Sequence, residues 1–296
     1  MIGAARRNRP GRTGSPASGT EATRRCRART GPPGARILAV DTYIGNGGTM
    51  RIAEHIDALE TAGRALAGAA EAAGPDAEVP TCPGWRVRDL LRHTTMVHRW
   101  VTGLVVEGSG EYRPEAGEPD LDGAPLLAHY REGHAALVAA LRAAPETLDA
   151  WTFLPAPSPL AFWARRQAHE TTVHRVDAES ALSGGPGPVG AALAADGVDE
   201  LLAGFHARDR SRVRTELPRT LRLRATDTGD VWTVRLSAAP PVTERGGTAS
   251  GPVDTEVSGS ADRLYLLLWN RLPAAEVTVT GDPEPLRLWR ETSAVT

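Results

Sequence analysis

The 296-residue chain reads as an all-α four-helix bundle followed by a small α+β domain. Two observations predict that division. Up to about residue 208, apolar residues recur at helical spacing in long stretches broken by Gly and Pro. From Leu217 onward the period shortens to two, and short alternating stretches mix with short helical ones. The expected limits are a tail over 1–49, a helical bundle over 50–212 and an α+β domain over 213–296.

Residues 1–49 carry nine Arg against Glu21 and Asp41, a net of +7, with almost no apolar periodicity. Such a segment buries too little apolar surface to offset its ordering entropy. It reads as a disordered basic tail, or as a start-site artefact with Met50 the first residue. The rest of the chain is acidic, with 25 Arg against 34 carboxylates, which argues against nucleic acid as a partner. No run approaches the ~20 apolar residues of a membrane span, so no integral membrane segment is expected. Two cysteines, Cys26 and Cys82, are too few for a disulfide framework, and a reducing cytoplasm is the default compartment.

Helix one is expected over 51–73, with Ile52, Ile56, Leu59 and Leu66 on one stripe. Its His55 sits among charged residues and reads as solvated. Past Gly74-Pro75, residues 79–85 (VPTCPGW) form a stiff entry to helix two, with Trp85 anchoring the loop and Cys82 a small buried residue. Helix two, over 87–106, buries Leu90, Val97, Val101 and Leu104. It carries His93 and His98, which diverge because five residues turn a helix by about 140° from alignment. Asp89, one turn before His93, is placed to orient it.

Residues 108–123 form a loop. Helix three, over 125–144, offers Leu126, Leu127, Leu137, Val138 and Leu141 for packing, and its His129 and His134 are again five apart. A Pro-rich connector leads into helix four, uninterrupted over 160–182 and stopped by Gly184-Gly185-Pro186. A fifth helical pattern covers 191–208. Strands follow at 220–225 and 231–236 around Thr228-Gly229-Asp230, then at 255–257. A helix over 261–271, a strand over 276–280 and a short helix over 285–291 complete the chain.

Helix four holds the chemistry. Glu170 and His174 lie one turn apart and only about 40° apart around the axis, so both can reach one metal ion. His169 is about 140° from His174 and cannot join them. The stretch therefore looks like the HExxH motif of zinc proteases without being one. Alone, the pair reads first as an ordinary polar pair, and His93 as a satisfied interior histidine. In a bundle, however, metal sites are built from inward side chains on facing helices. His93, Glu170 and His174 would then make a His₂–carboxylate set with open positions, the pattern of catalytic zinc. Walker, GxSxG, CxxC and dinucleotide motifs are absent from the sequence.

Residues 79–93 (VPTCPGWRVRDLLRH), 97–100 (VHRW), 168–179 (AHETTVHRVDAE), 258–271 (SGSADRLYLLLWNR) and 279–282 (VTGD) together resemble the mycothiol-dependent maleylpyruvate isomerase family. The resemblance spans about residues 50–289. It implies a DinB-like metal-binding four-helix bundle followed by a sterol-carrier-protein-like α+β domain. It also implies zinc, or another divalent metal, held by a His, Glu, His set that maps onto His93, Glu170 and His174. Mycothiol is the implied cofactor. The implied reaction is cis–trans isomerisation of maleylpyruvate to fumarylpyruvate by thiolate addition and elimination, on a small electrophilic or dicarboxylate substrate. Arg166 and Arg175 lie near the site in sequence and are of the type that grips carboxylates. Two other readings stay open: a mycothiol S-transferase acting on electrophiles, and a non-catalytic module binding a metal or small ligand.

Overall fold

The computed structural model describes residues 50–247 and 251–294; the tail over 1–49 lies outside the described residues. Four long helices come first: α1 (Ile52–Ala73), α2 (Val87–Glu107), α3 (Gly123–Ala143) and α4 (Pro159–Ser180). Around the bundle, α1 lies between α3 and α4, and α2 closes the ring from the other side.

The helix starts are chemically specified. Pro159 occupies the first turn of α4, and the Ala161 N–H donates to Ser158 Oγ at 3.1 Å. At the head of α2 the Arg86 N–H donates to the Asp89 carboxylate at 2.9 Å. That bond corrects the expectation for Asp89, which secures the helix start instead of orienting His93. Inside, Leu66, Val87, Leu90, Leu126 and Tyr130 form one buried cluster with Cys82, and Trp85 packs against it as the loop anchor. His55 is a second correction. It is buried, because α1 turns this face toward α4 and α5.

Helix α4 is buried on nearly every side, although much of it is polar: Arg166, Gln167, His169, Thr171, Thr172, His174 and Asp177 are all buried. After α4, α5 (Ala191–Asp199) runs directly into a π turn, Glu200–Phe205, in which the His206 N–H donates five residues back to the Leu201 carbonyl at 3.0 Å.

The second half is a five-stranded sheet: β1 (Arg219–Ala225), β2 (Val231–Leu236), β3 (Val242–Arg245), β4 (Thr255–Gly259) and β5 (Thr278–Gly281). The order is β3-β2-β1-β4-β5, with β1 and β4 parallel and the other neighbours antiparallel. Leu221, Leu223 and Ala225 alternate inward on β1, as do Trp232, Val234 and Leu236 on β2. Helices α6 (Ala261–Leu268) and α7 (Glu284–Thr292) pack on the sheet, and α6 also packs on α5.

Strand β3 had no sequence signal, because none of its four residues is buried. Helix α6 ends at Leu268, not 271. Asn270 takes a left-handed φ of 60°, which Asn tolerates, and the Arg271 N–H then bonds the Leu266 carbonyl at 2.7 Å. A short 3₁₀ turn over Ala274–Glu276 delays the last strand to Thr278. Among the described residues no helix is long and apolar enough to cross a membrane.

Two glycines of α1 test the helix packing. A Cβ on Gly63 would lie 2.2 Å from His134 Nε2 on α3, whereas one on Gly68 would meet nothing within 4 Å. Gly63→Ala is expected to destabilise the protein by about 1–3 kcal/mol through overpacking. Gly68→Ala is expected to stabilise it by up to about 1 kcal/mol through helix propensity. Denaturant midpoints read both, and a shift in the same direction for the two would contradict the close approach of α1 and α3.

Candidate metal centre

Helix α4 places Glu170 and His174 on the edge facing α2, and α2 supplies His93. The structure brings together the pair that helix spacing singled out and the His93 that a bundle was expected to add. Glu170 Oε1 lies 3.4 Å from His93 Nε2 and 3.2 Å from His174 Nε2. All three candidate ligand atoms lie within 4.8 Å of one another. Two donors each about 2.1 Å from a tetrahedral ion stand about 3.4 Å apart, so the spacing fits a divalent metal. Both histidines are buried, while Glu170 keeps a fifth of its side chain exposed.

The surrounding bonds point the ligand atoms inward. His174 Nδ1 lies 2.9 Å from Asp177 Oδ2; donation from Nδ1 to that carboxylate leaves the Nε2 lone pair facing Glu170 and His93. Asp177 is itself fully buried and gripped from two directions. Thr81 Oγ1 donates to Oδ1 at 2.6 Å, and Arg271 donates through Nε to Oδ1 and through its terminal nitrogen to Oδ2, each at 2.9 Å. Burial alone would raise the Asp177 pKa, but the His174 hydrogen bond and the Arg271 guanidinium hold it below the ordinary carboxylate range. Glu170 behaves alike. Against its desolvation, the hydrogen bonds of His174 and His93 and the charge of Arg166 hold its carboxyl well below the usual value.

Arg271 follows the Asn270 turn, so the sheet half of the chain steadies a histidine of the bundle. Its terminal nitrogen also lies 3.4 Å from Cys82 Sγ. Burial pushes the Cys82 thiol up to about 12, so this cysteine stays protonated and unreactive, as its place in the core implies. Trp85 forms a wall beside the trio, edge-on to His93 at 5.3 Å and stacked on His174 at 6.4 Å between ring centroids.

The two arginines near the site in sequence already have protein partners. Arg166 is buried and donates to Glu170 Oε2 at 3.2 Å and to Glu200. Arg175 bonds Glu179 and the carbonyls of Gly187 and Pro188. Neither is free to grip a substrate. His98 is an interior histidine bonded to Thr171 Oγ1 at 2.9 Å, and burial lowers its pKa to about 3, keeping it neutral. His134 bonds the Leu59 carbonyl at 3.1 Å, and His129 meets Arg99.

A second trio stands on another face of α4. His55 Nε2 and His169 Nε2 lie 3.0 and 2.8 Å from Asp196 Oδ2, and all three residues are buried. By donor type it resembles the first. The guanidiniums separate them. Arg166 takes Glu170 Oε2 and leaves Oε1 to face the histidines. Arg165 Nε donates at 2.8 Å to Asp196 Oδ2, the oxygen that both histidines already share. A cation therefore already occupies the acceptor of the second trio, and this trio serves as a hydrogen-bonded hub joining α1, α4 and α5. Tyr265 of α6 adds its hydroxyl, 3.3 Å from His169 Nδ1.

Residues 56–179 match the family model described as the mycothiol maleylpyruvate isomerase N-terminal domain, and residues 192–287 match the C-terminal domain of the same family. The chain belongs to the mycothiol maleylpyruvate isomerase family. Its bundle is accordingly DinB-like. Two solved structures share the fold: the mycothiol-dependent maleylpyruvate isomerase, with a TM-score of 0.54, and a His-to-Ala mutant of it, with a TM-score of 0.55. Each is 16% identical and aligns over 78% of this chain and 93% of the other. No curated protein matches the sequence significantly.

Within this family member, the hub predicts a defined pH response. Burial would raise the Asp196 pKa, but hydrogen bonds from His169 and His55 and the charge of Arg165 hold it low. Its contribution is therefore complete above the unfolded carboxylate value of about 4 and is lost as pH falls below that. Asp196→Ala should cost about 3 kcal/mol near neutral pH, because His55, His169 and Arg165 all lose the buried carboxylate they share. The gap to wild type should narrow as pH falls from about 5 to about 3. Urea unfolding at both pH values checks this, and parallel losses in the two proteins would contradict it.

Proposed function

We propose that this protein is a zinc- and mycothiol-dependent enzyme of the maleylpyruvate isomerase type, with His93, Glu170 and His174 as the metal ligands. One observation carries the reading. Arg166 on Glu170 Oε2 and Asp177 on His174 Nδ1 leave one carboxylate oxygen and one imidazole nitrogen turned toward His93 Nε2, with no protein cation between them. Two imidazoles and one carboxylate suit zinc and leave coordination positions open. When bound, zinc and the thiol would supply a thiolate at neutral pH, whose reversible addition to an activated cis double bond permits rotation before elimination restores the alkene as trans.

The chain's own residues would set the geometry of that chemistry. Asp177 fixes the tautomer and ring angle of His174, and Arg271 and Thr81 fix Asp177. Trp85 covers one side of the ligand set and limits water there. Beside this network opens a cavity of about 620 Å³, lined by Thr81, Pro83, Asn270, Arg271, Arg287 and Arg290 among others. Its size suits a small ligand, while its arginines already have protein partners: Arg271 holds Asp177, Arg287 pairs with Glu284 and with Glu291 of the same lining, and Arg290 donates to the Leu272 carbonyl. It touches the ligand set only through Thr81 and Arg271, the two residues that hold Asp177.

The test is turnover of maleylpyruvate by zinc-loaded protein with mycothiol, read as fumarylpyruvate formed. Omission of the thiol should abolish it, and His174→Ala should lower kcat/KM by about 10³-fold or more, the scale of losing an activated nucleophile. The thiol should be recovered unconsumed; a stable S-conjugate would favour the transferase. Undiminished turnover without thiol, or no turnover of any activated alkene at full zinc occupancy, would overturn the proposal.

A further inference from the structure

Glu200 has no place in the reading above, yet it is buried and charged. It opens the π turn that ends α5, and its carboxylate pairs with Arg166. Arg166 is equally buried and bridges Glu200 and Glu170. The guanidinium has aromatic neighbours too: its carbon lies 5.1 Å from the Phe205 ring centroid and 5.8 Å from that of Trp269.

The π turn makes this cage possible. In an α-helix, residues five apart point about 140° away from each other. Bonding five residues back, as His206 does to Leu201, widens the turn, and Glu200 and Phe205 then reach the same guanidinium. One local departure from helical geometry thus brings both a counter-charge and a ring to Arg166.

We infer that Glu200 is a positioning residue for Glu170, acting through Arg166; this rests on the metal reading above. The reasoning is electrostatic and geometric. Arg166 holds Glu170 Oε2 and so presents Oε1 alone to the metal. A bare guanidinium so close to a divalent cation would repel it and would draw Glu170 away. Glu200 neutralises that charge, so Arg166 can hold the ligand without competing for it. Glu200 is thus the counter-ion that lets a cation sit behind a cation site, whereas the Arg165 guanidinium of the other trio stands on the shared oxygen itself.

The test is zinc affinity of the full-length protein by competition with a chelator, with cobalt(II) visible spectra as a second readout. Glu200→Gln should weaken zinc binding about 10–100-fold, the scale seen when outer partners of metal ligands are removed. It should also alter the cobalt spectrum. Removing both charges, as Arg166→Gln with Glu200→Gln, should restore affinity to within about tenfold of wild type. A purely structural role would leave the double variant no better than the single one. If Glu200→Gln does not fold, Glu200→Asp, which keeps the charge but withdraws it from Arg166, decides: folded protein with weakened zinc affinity supports the relay, and folded protein with unchanged affinity overturns it. Unchanged affinity and spectrum in folded Glu200→Gln also overturn it. Failure of the metal reading is seen separately. Wild type would then hold no zinc, or His93→Ala and His174→Ala would bind it unchanged, and the relay would fall with that reading.

Discussion

Helix α4 is buried on nearly every face while carrying a dense run of polar side chains, and a buried polar group without a partner costs about 1–3 kcal/mol. The neighbours of α4 are therefore fixed by chemistry as much as by apolar packing. Glu170 and His174 meet His93 from α2. His169 finds Asp196 from α5 and Tyr265 from α6. Asp177 meets Arg271 from beyond α6, and Arg166 meets Glu200 at the π turn. Gln167 Oε1 and Thr172 Oγ1 are the exceptions on this helix. Satisfying one helix thus draws both halves of the described chain onto it.

The same helix supports two histidine–carboxylate trios, and what separates them is the placement of single atoms. Consecutive arginines, Arg165 and Arg166, go to opposite trios. One stands on the oxygen that its histidines share, and the other stands on the far oxygen and leaves the near one open. Donor type alone does not distinguish a metal site from a hydrogen-bonded hub. In the proposed reading the position of the nearest protein cation separates the two, because a guanidinium and a metal ion compete for the same lone pairs.

How much of this was legible in the sequence follows from the range of each interaction. The four helices could be read because their apolar spacing and their Pro and Gly stops are local. Glu170 and His174 could be read because one turn aligns them, and the divergence of His169 followed from the same geometry. His93 needed the bundle as a further premise. Asp177 was within reach, since its i,i+3 spacing to His174 is local. Arg271 was not, lying 94 residues from its partner. His55 was misread because its flanking charges suggested solvent, whereas its ring turns inward to an aspartate 141 residues away. Asp89 was misassigned because helix-start chemistry claimed it. The π turn left no trace in the apolar pattern, since Leu201, Leu202 and Phe205, which it buries, are spaced as on an α-helical stripe.

The central claim is that the trio on the α2 side holds a metal and the trio with Asp196 does not. Anomalous diffraction at the zinc absorption edge, from crystals of the zinc-loaded protein, tests it directly. The account predicts one strong anomalous peak between His93 Nε2, Glu170 Oε1 and His174 Nε2, with no peak among His55, His169 and Asp196. A peak at the second trio, or none at the first under saturating zinc, would contradict it.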